Sequence, residues 1–159
     1  LSSKKLDVNF INPFVTSVVE TFKVQCSFML RPGKPFLKGQ GSSIPVDLAA
    51  VINLKGAIFN GSIAICFPKS VFLAVMTNML GEKYDEIVPE LEDGACELLN
   101  IIFGGAKRTL NDKGFAIEKA IPTVLKGPGL AGLNKGAIPT LVLPFETDLG
   151  PFQMEITAE

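Results

Sequence analysis

Residues 89–111 constrain the fold more than any other stretch of the chain. Leu91, Ala95, Leu98, Leu99, Ile102, Ala106 and Leu110 recur at three- and four-residue intervals. That spacing stacks side chains along one face of a helix, which turns about 100° per residue. A long helix with one apolar stripe must lay that stripe on another layer. On roughly the opposite face fall Glu97, Asn100 and Gly104, with Asp93 and Asn111 nearby. An acid and an amide one turn apart, beside a residue with no side chain, form a ridge that can be offered to another protein. A solvated helix face gives the same pattern, and short motifs also arise by chance. Gly104-Gly105 costs ~1 kcal/mol per glycine relative to alanine inside a helix. The pair reads either as close packing against a neighbouring element or an early helix end, or as a flat spot for a partner. The helical angles turn Gly104 outward and Gly105 sideways.

The remaining elements follow from local chemistry. Asn12-Pro13 reads as an N-cap with proline at the first helical position. Phe14, Val15, Val18, Val19 and Phe22 then supply a helical stripe over 13–23, which residues 8–11 either extend or precede. Residues 24–30 read as a strand, 31–35 as a turn, 36–38 as the start of a return strand and 39–43 as a polar loop. Residues 46–54 and 62–67 are rich in Val and Ile and read as an antiparallel hairpin with little alternation, hence buried on both faces or covered by helices. Residues 55–61 suit a hairpin turn or continued strand. Pro68 opens a helix to about Leu80, with Phe72, Leu73, Met76, Met79 and Leu80 toward the core and Gly81 at its end. Residues 115–120 and 122–125 read as a strand broken at Pro122, which needs an edge or a bulge. Residues 126–136 read as a glycine-rich loop, and 140–146 with 152–157 as a C-terminal hairpin. The order predicts a single α+β domain over 1–159. It has two layers, a mostly antiparallel sheet and about three helices. It hints at a degenerate repeat that residue identity alone does not establish.

Composition then removes whole classes of chemistry. The 159 residues carry a net charge of −1, which provides no basic field for nucleic acid or an anionic membrane. No apolar run approaches the ~20 residues of a spanning helix, and residues 1–5 do not read as a signal peptide. Cys26, Cys66 and Cys96 are widely spaced and odd in number, which reads as reduced thiols in a cytoplasmic protein. With no histidine, Ser-His and Cys-His catalysis and histidine metal sites are excluded. There is no phosphate-binding GxxxxGK[ST] loop, and the carboxylates do not cluster as metal ligands. An enzyme with this inventory borrows its reactive group or metal from its substrate.

Several segments carry a resemblance to a known family: Asp7-Val-Asn-Phe-Ile-Asn12-Pro13-Phe14, Arg31-Pro-Gly-Lys-Pro35, Met79-Leu-Gly81-Glu82, Ile121-Pro122-Thr123 and Pro144-Phe145-Glu146-Thr147. The most telling is Glu97-Leu-Leu-Asn100-Ile-Ile-Phe-Gly104-Gly105-Ala-Lys107. In this order and over nearly the full length, the chain resembles the CheX proteins of the CheC/CheX/FliY chemotaxis phosphatase superfamily. The family's ExxN signature maps onto Glu97 and Asn100. The resemblance implies hydrolysis of the aspartyl phosphate of a CheY-type response regulator. It also implies no cofactor of the chain's own, since the receiver supplies Mg²⁺ and a lysine. Asn100 would orient the attacking water, and the Glu97 carboxylate would dock the receiver lysine. We read Ile101 and Gly104 as partner-binding positions that let the helix lie close. The resemblance also implies a homodimer through sheet edges.

Two-site relatives carry a second ExxN on another helix. Residues 13–23 hold Glu20 followed by Lys23, so one site per chain is expected. Two alternatives stand beside the phosphatase reading. One is a noncatalytic module that binds a receiver or another chemotaxis component. The other is a small-molecule or structural dimer protein whose 126–136 loop lines a pocket.

Overall fold

The computed structural model describes residues 7–41, 43–57, 59–119, 121–134 and 139–158. The polar start at 1–5, Ser42, Ile58, Ala120 and the end of the glycine-rich stretch at 135–136 lie outside the described residues. The elements run α1 Val8–Cys26, β1 Arg31–Pro32, β2 Phe36–Leu37, β3 Leu48–Lys55, β4 Asn60–Phe67, α2 Lys69–Leu80, α3 Pro89–Asp112, β5 Glu118–Lys119, β6 Thr123–Lys126, a 3-10 segment Gly127–Asn134, β7 Thr140–Thr147 and β8 Gly150–Ala158. The strands form one antiparallel sheet ordered β1-β7-β8-β4-β3-β5, with β2 also on β7 and β6 also on β3. Each edge is therefore a strand in two pieces. Pro122 sits in the break of one, the edge position that a residue without an N–H tolerates.

The sheet is two-faced even though its sequence scarcely alternates. Leu48, Ala50, Ile52 and Leu54 of β3, Ile63, Ile65 and Phe67 of β4 and Phe152, Met154 and Ile156 of β8 join residues of all three helices in the main core. The opposite face holds Ala49, Ala64 and Cys66, against which Leu130 and Leu133 of the 3-10 segment pack. Both sets of positions are therefore apolar in the central hairpin. The 126–136 stretch is thus a short helical cover in its described part, where the sequence suggested a loop.

Three expectations need correction. Helix α1 starts at Val8 rather than Pro13. Asp7 is the cap, and its carboxylate accepts from the backbone N–H of Asn9 at 2.9 Å and of Phe10 at 3.3 Å. Burial of Phe10 and Ile11 then draws the first turn onto the core, which offsets the missing N–H of Pro13. The strand expected at 24–30 does not form. Phe14, Val18, Phe22 and Cys26 continue one four-residue stripe, all fully buried, so helix persists until Ser27, whose φ of 58° stops it. Leu80 is exposed rather than in the core, whereas Phe72 and Met76 are buried and Leu73 and Met79 pack on the core edge. All three cysteines are free. Burial pushes the Cys26 thiol up to about 12. Among the described residues, no helix is long and apolar enough to cross a membrane.

The core beneath α1 and α2 is aromatic. Phe152 stacks on Phe22 with ring centroids 4.7 Å apart and contacts Phe145 and Phe67, each at 5.2 Å. Truncation of Phe152 to alanine should cost about 3–5 kcal/mol. Leu149→Ala, at a residue 58% exposed, should stay within about 0.5 kcal/mol. Urea unfolding midpoints of the two variants check the pair.

Candidate functional site

Helix α3 opens with Pro89 at its first position and with Glu90 and Glu92 in its first turn. Acidic side chains there complement the partial positive charge of the helix N-terminus. An ion pair from Lys126 of β6 to Glu92 anchors that end to the sheet. The stripe from Leu91 to Leu110 is buried throughout, which leaves the other side of the helix open.

On that side the structure places each residue singled out from the sequence. Glu97 and Gly104 are exposed, and Asn100 and Ile101 are half-buried on the flanks. Asn100 thus sits lower than the fully solvated ridge expected of it. Its Oδ1 is shut off from solvent with no hydrogen-bond partner among the described residues. An unmet polar atom of this kind costs about 1–3 kcal/mol. Such an exception calls for an explanation, and a catalytic role is one of those open to it. Nearby, the half-buried Cys96 thiol is raised, first by burial and then by the carboxylates of Asp93 and Glu92. The shift disfavours the thiolate, the nucleophilic form.

The two glycines do different things. A side chain at Gly104 would meet nothing within 4 Å, whereas a Cβ on Gly105 would lie 2.4 Å from Ser17 Oγ of α1. The Ser17 hydroxyl donates to the Ile102 carbonyl at 2.6 Å. The helices run antiparallel, because Lys113, at the end of α3, donates to Asn9 in the first turn of α1. Between them lies a groove of about 590 Å³ that includes Ile101 and Gly104. Sequence reasoning missed Ser17, whose only signal was a small hydroxyl within an apolar stripe. It also missed the α1 wall of the groove, which no local pattern announces.

The longer α1 brings Asn9 and Asn12 into its first turns at the i, i+3 spacing. Neither is an acid, so α1 carries no second ExxN.

Three comparisons bear on the chain. The profile of the family described as Chemotaxis phosphatase CheX matches residues 48–146, from β3 into β7. Among solved structures, the chain is similar to a CheC-like superfamily protein from Shewanella sp. PV-4, with 34% identity, 96% of this chain and 99% of that chain covered, and a TM-score of 0.83. It is similar to the chemotaxis protein CheX from Vibrio vulnificus, with 32% identity, 94% and 99% covered, and a TM-score of 0.82. It is also similar to the CheX of a CheX–CheY–BeF₃–Mg²⁺ complex from Borrelia burgdorferi, with 26% identity, 96% and 99% covered, and a TM-score of 0.80. No curated protein sequence matches.

Alanine at the two glycines should act with opposite sign. Gly104→Ala gains helix propensity without a clash and should stabilise by about 0.5–1 kcal/mol. Gly105→Ala displaces the Ser17 hydroxyl and should destabilise by about 1 kcal/mol or more. Thermal and urea unfolding of both variants measure the difference.

Proposed function

The chain belongs to the chemotaxis phosphatase CheX family, and from that premise we propose that it hydrolyses the aspartyl phosphate of a CheY-type response regulator. The observation that carries this reading is the ridge of α3. An exposed carboxylate stands one turn from a half-buried carboxamide with an unmatched oxygen, beside a glycine with open space above it. The CheX–CheY complex from Borrelia burgdorferi holds BeF₃ and Mg²⁺. That supports a receiver partner that brings the metal, with no cofactor of this chain's own.

An acyl phosphate is already activated, so hydrolysis needs chiefly position and electrostatics. The Asn100 Oδ1, shut in when the chain stands alone, turns outward about the side-chain bonds as the receiver docks; it then accepts a hydrogen bond from a water while the amide N–H donates to surrounding oxygens. It thereby holds the water in line with the bond between phosphorus and the aspartyl oxygen. The water oxygen forms the new P–O bond as the old one breaks. The aspartate leaves as a carboxylate, and the water's proton passes to phosphate or solvent. The Glu97 carboxylate meets the receiver lysine and sets the register of docking. Ile101 and Gly104 let the ridge seat closely. The reaction places the protein in the cytoplasm, where phosphorylated receivers are. A homodimer through the broken edge strands fits the open edge beside Ile121.

The test is single-turnover loss of phosphate from purified receivers with and without the protein. Asn100→Ala should lose the acceleration by about a hundredfold or more while its unfolding midpoint stays at or above that of the parent. Glu97→Ala should mainly weaken receiver binding or lower the rate. An amide does not titrate, so the rate should change little between about pH 6 and 8 beyond the receiver's own behaviour. Full activity in both variants would sink the assignment.

A further inference from the structure

The groove beside the ridge carries charges that no other described residue pairs with. Asn12, Thr16 and Glu20 line it from α1, and Ile101, Gly104 and Arg108 from α3. Arg108 and Glu20 are exposed, and among the described residues neither is in an ion pair; the exposed Lys107 beside Arg108 is likewise in none. Arg108 lies one turn beyond Gly104 and, at 100° per residue, nearly in line with Glu97. Eleven residues separate Glu97 from Arg108, about 16 Å along the helix axis. The ridge is therefore acidic at one end and basic at the other, with an uncharged middle of Asn100, Ile101 and Gly104.

We propose that Arg108 and the α1–α3 groove form a second contact for the same receiver, with Arg108 reading a carboxylate on the receiver surface about 16 Å from its pocket lysine. The inference rests on the receiver-phosphatase reading and adds a determinant of which receiver is accepted. The occupant follows from continuity, because Ile101 and Gly104 belong to both ridge and groove. It follows also from charge. A receiver that lies along the ridge from Glu97 over Gly104 meets Arg108, and a guanidinium there favours an acidic residue in planar two-point contact. A receiver with a basic residue at that point is repelled, which is how a rim charge selects between similar partners.

The experiment measures phosphate loss against receiver concentration, at low and high salt, for a receiver phosphorylated by acetyl phosphate with Mg²⁺. Arg108→Glu should raise KM about tenfold with maximal turnover retained, and should blunt the rise of KM with salt expected of the parent. Arg108→Lys should restore much of the loss. Lys23→Glu, an equal charge change on an exposed α1 residue outside the groove, should leave KM at the parental value. If KM for Arg108→Glu matches the parent while Asn100→Ala still abolishes clearance, the groove contact falls and the phosphatase reading stands. If Asn100→Ala clears phosphate at full rate, the reading beneath it falls. If sedimentation shows that Arg108→Glu changes the oligomeric state, the groove holds a second copy of this chain and the receiver contact is overturned.

Discussion

Two antiparallel helices can approach each other closely only where neither interposes a bulky side chain. In this chain that place is Gly105 against Ser17. A Cβ on Gly105 would fall 2.4 Å from the Ser17 hydroxyl, and that hydroxyl donates to the backbone carbonyl of Ile102, one turn back along α3. The contact fixes rotation as well as distance. With Gly105 turned toward α1, the 100° step of the helix turns Gly104, Arg108 and Glu97 to the open side and Asn100 to the flank away from α1. The chemistry proposed for the ridge therefore depends on a packing contact made by none of its residues. The glycine that costs helix propensity at 105 supports the contact, and the one at 104 clears space.

The platform under α3 is held by a second polar device on the far side of the sheet. Glu155 of β8 is buried. Its carboxylate accepts from Lys38 at 2.8 Å and from Gln153 at 2.8 Å. Lys38 follows β2 and reaches across β7 to make this bond, so the short edge strand is tied to the sheet interior by more than its backbone pairing. Buried ion pairs contribute little net stability when complete and cost several kcal/mol when broken. Their value is geometric, and the geometry set here is that of the sheet on which all three helices rest. The same carboxylate, after burial itself, helps push the neighbouring Cys66 thiol up.

Local pattern carried much of this into the sequence, and its failures share a cause. Helix α3, the β3–β4 and β7–β8 hairpins and the end of α2 at Gly81 follow from periodicity, turn residues and a φ of +77° that glycine accepts. The ridge was legible because Glu97 and Asn100 are three residues apart on one helix. Residues 24–30 misled because Val24, Phe28 and Leu30 have strand-like composition, while the core contacts of Phe22 and Cys26 prolong the helix. Asn12-Pro13 misled because a good local cap competed with Asp7, which had burial of Phe10 and Ile11 behind it. Ser17 and the groove were invisible for another reason: the bond from Ser17 spans 85 residues, and no periodicity encodes it.

Topology also bears on why the proposed site lies on one of the two long helices. The order α1, broken edge strand, hairpin recurs as α3, broken edge strand, hairpin, and each broken strand pairs with the hairpin of the other half. In this arrangement α1 and α3 hold equivalent places. Ser17 lies eight residues beyond Asn9, as Gly105 lies eight beyond Glu97, so their contact puts Asn9 opposite the role of Glu97 and Asn12 opposite that of Asn100. The amide is kept at the second position, but the acid is replaced at the first. The amide at Asn9 is moreover engaged by Lys113 at 3.2 Å. A neutral amide cannot meet a receiver lysine as a carboxylate does, and one already facing an ammonium meets a second with repulsion nearby. The repeat therefore fits the proposal of one ridge per chain, with α1 packed against α3 and forming the far wall of the groove.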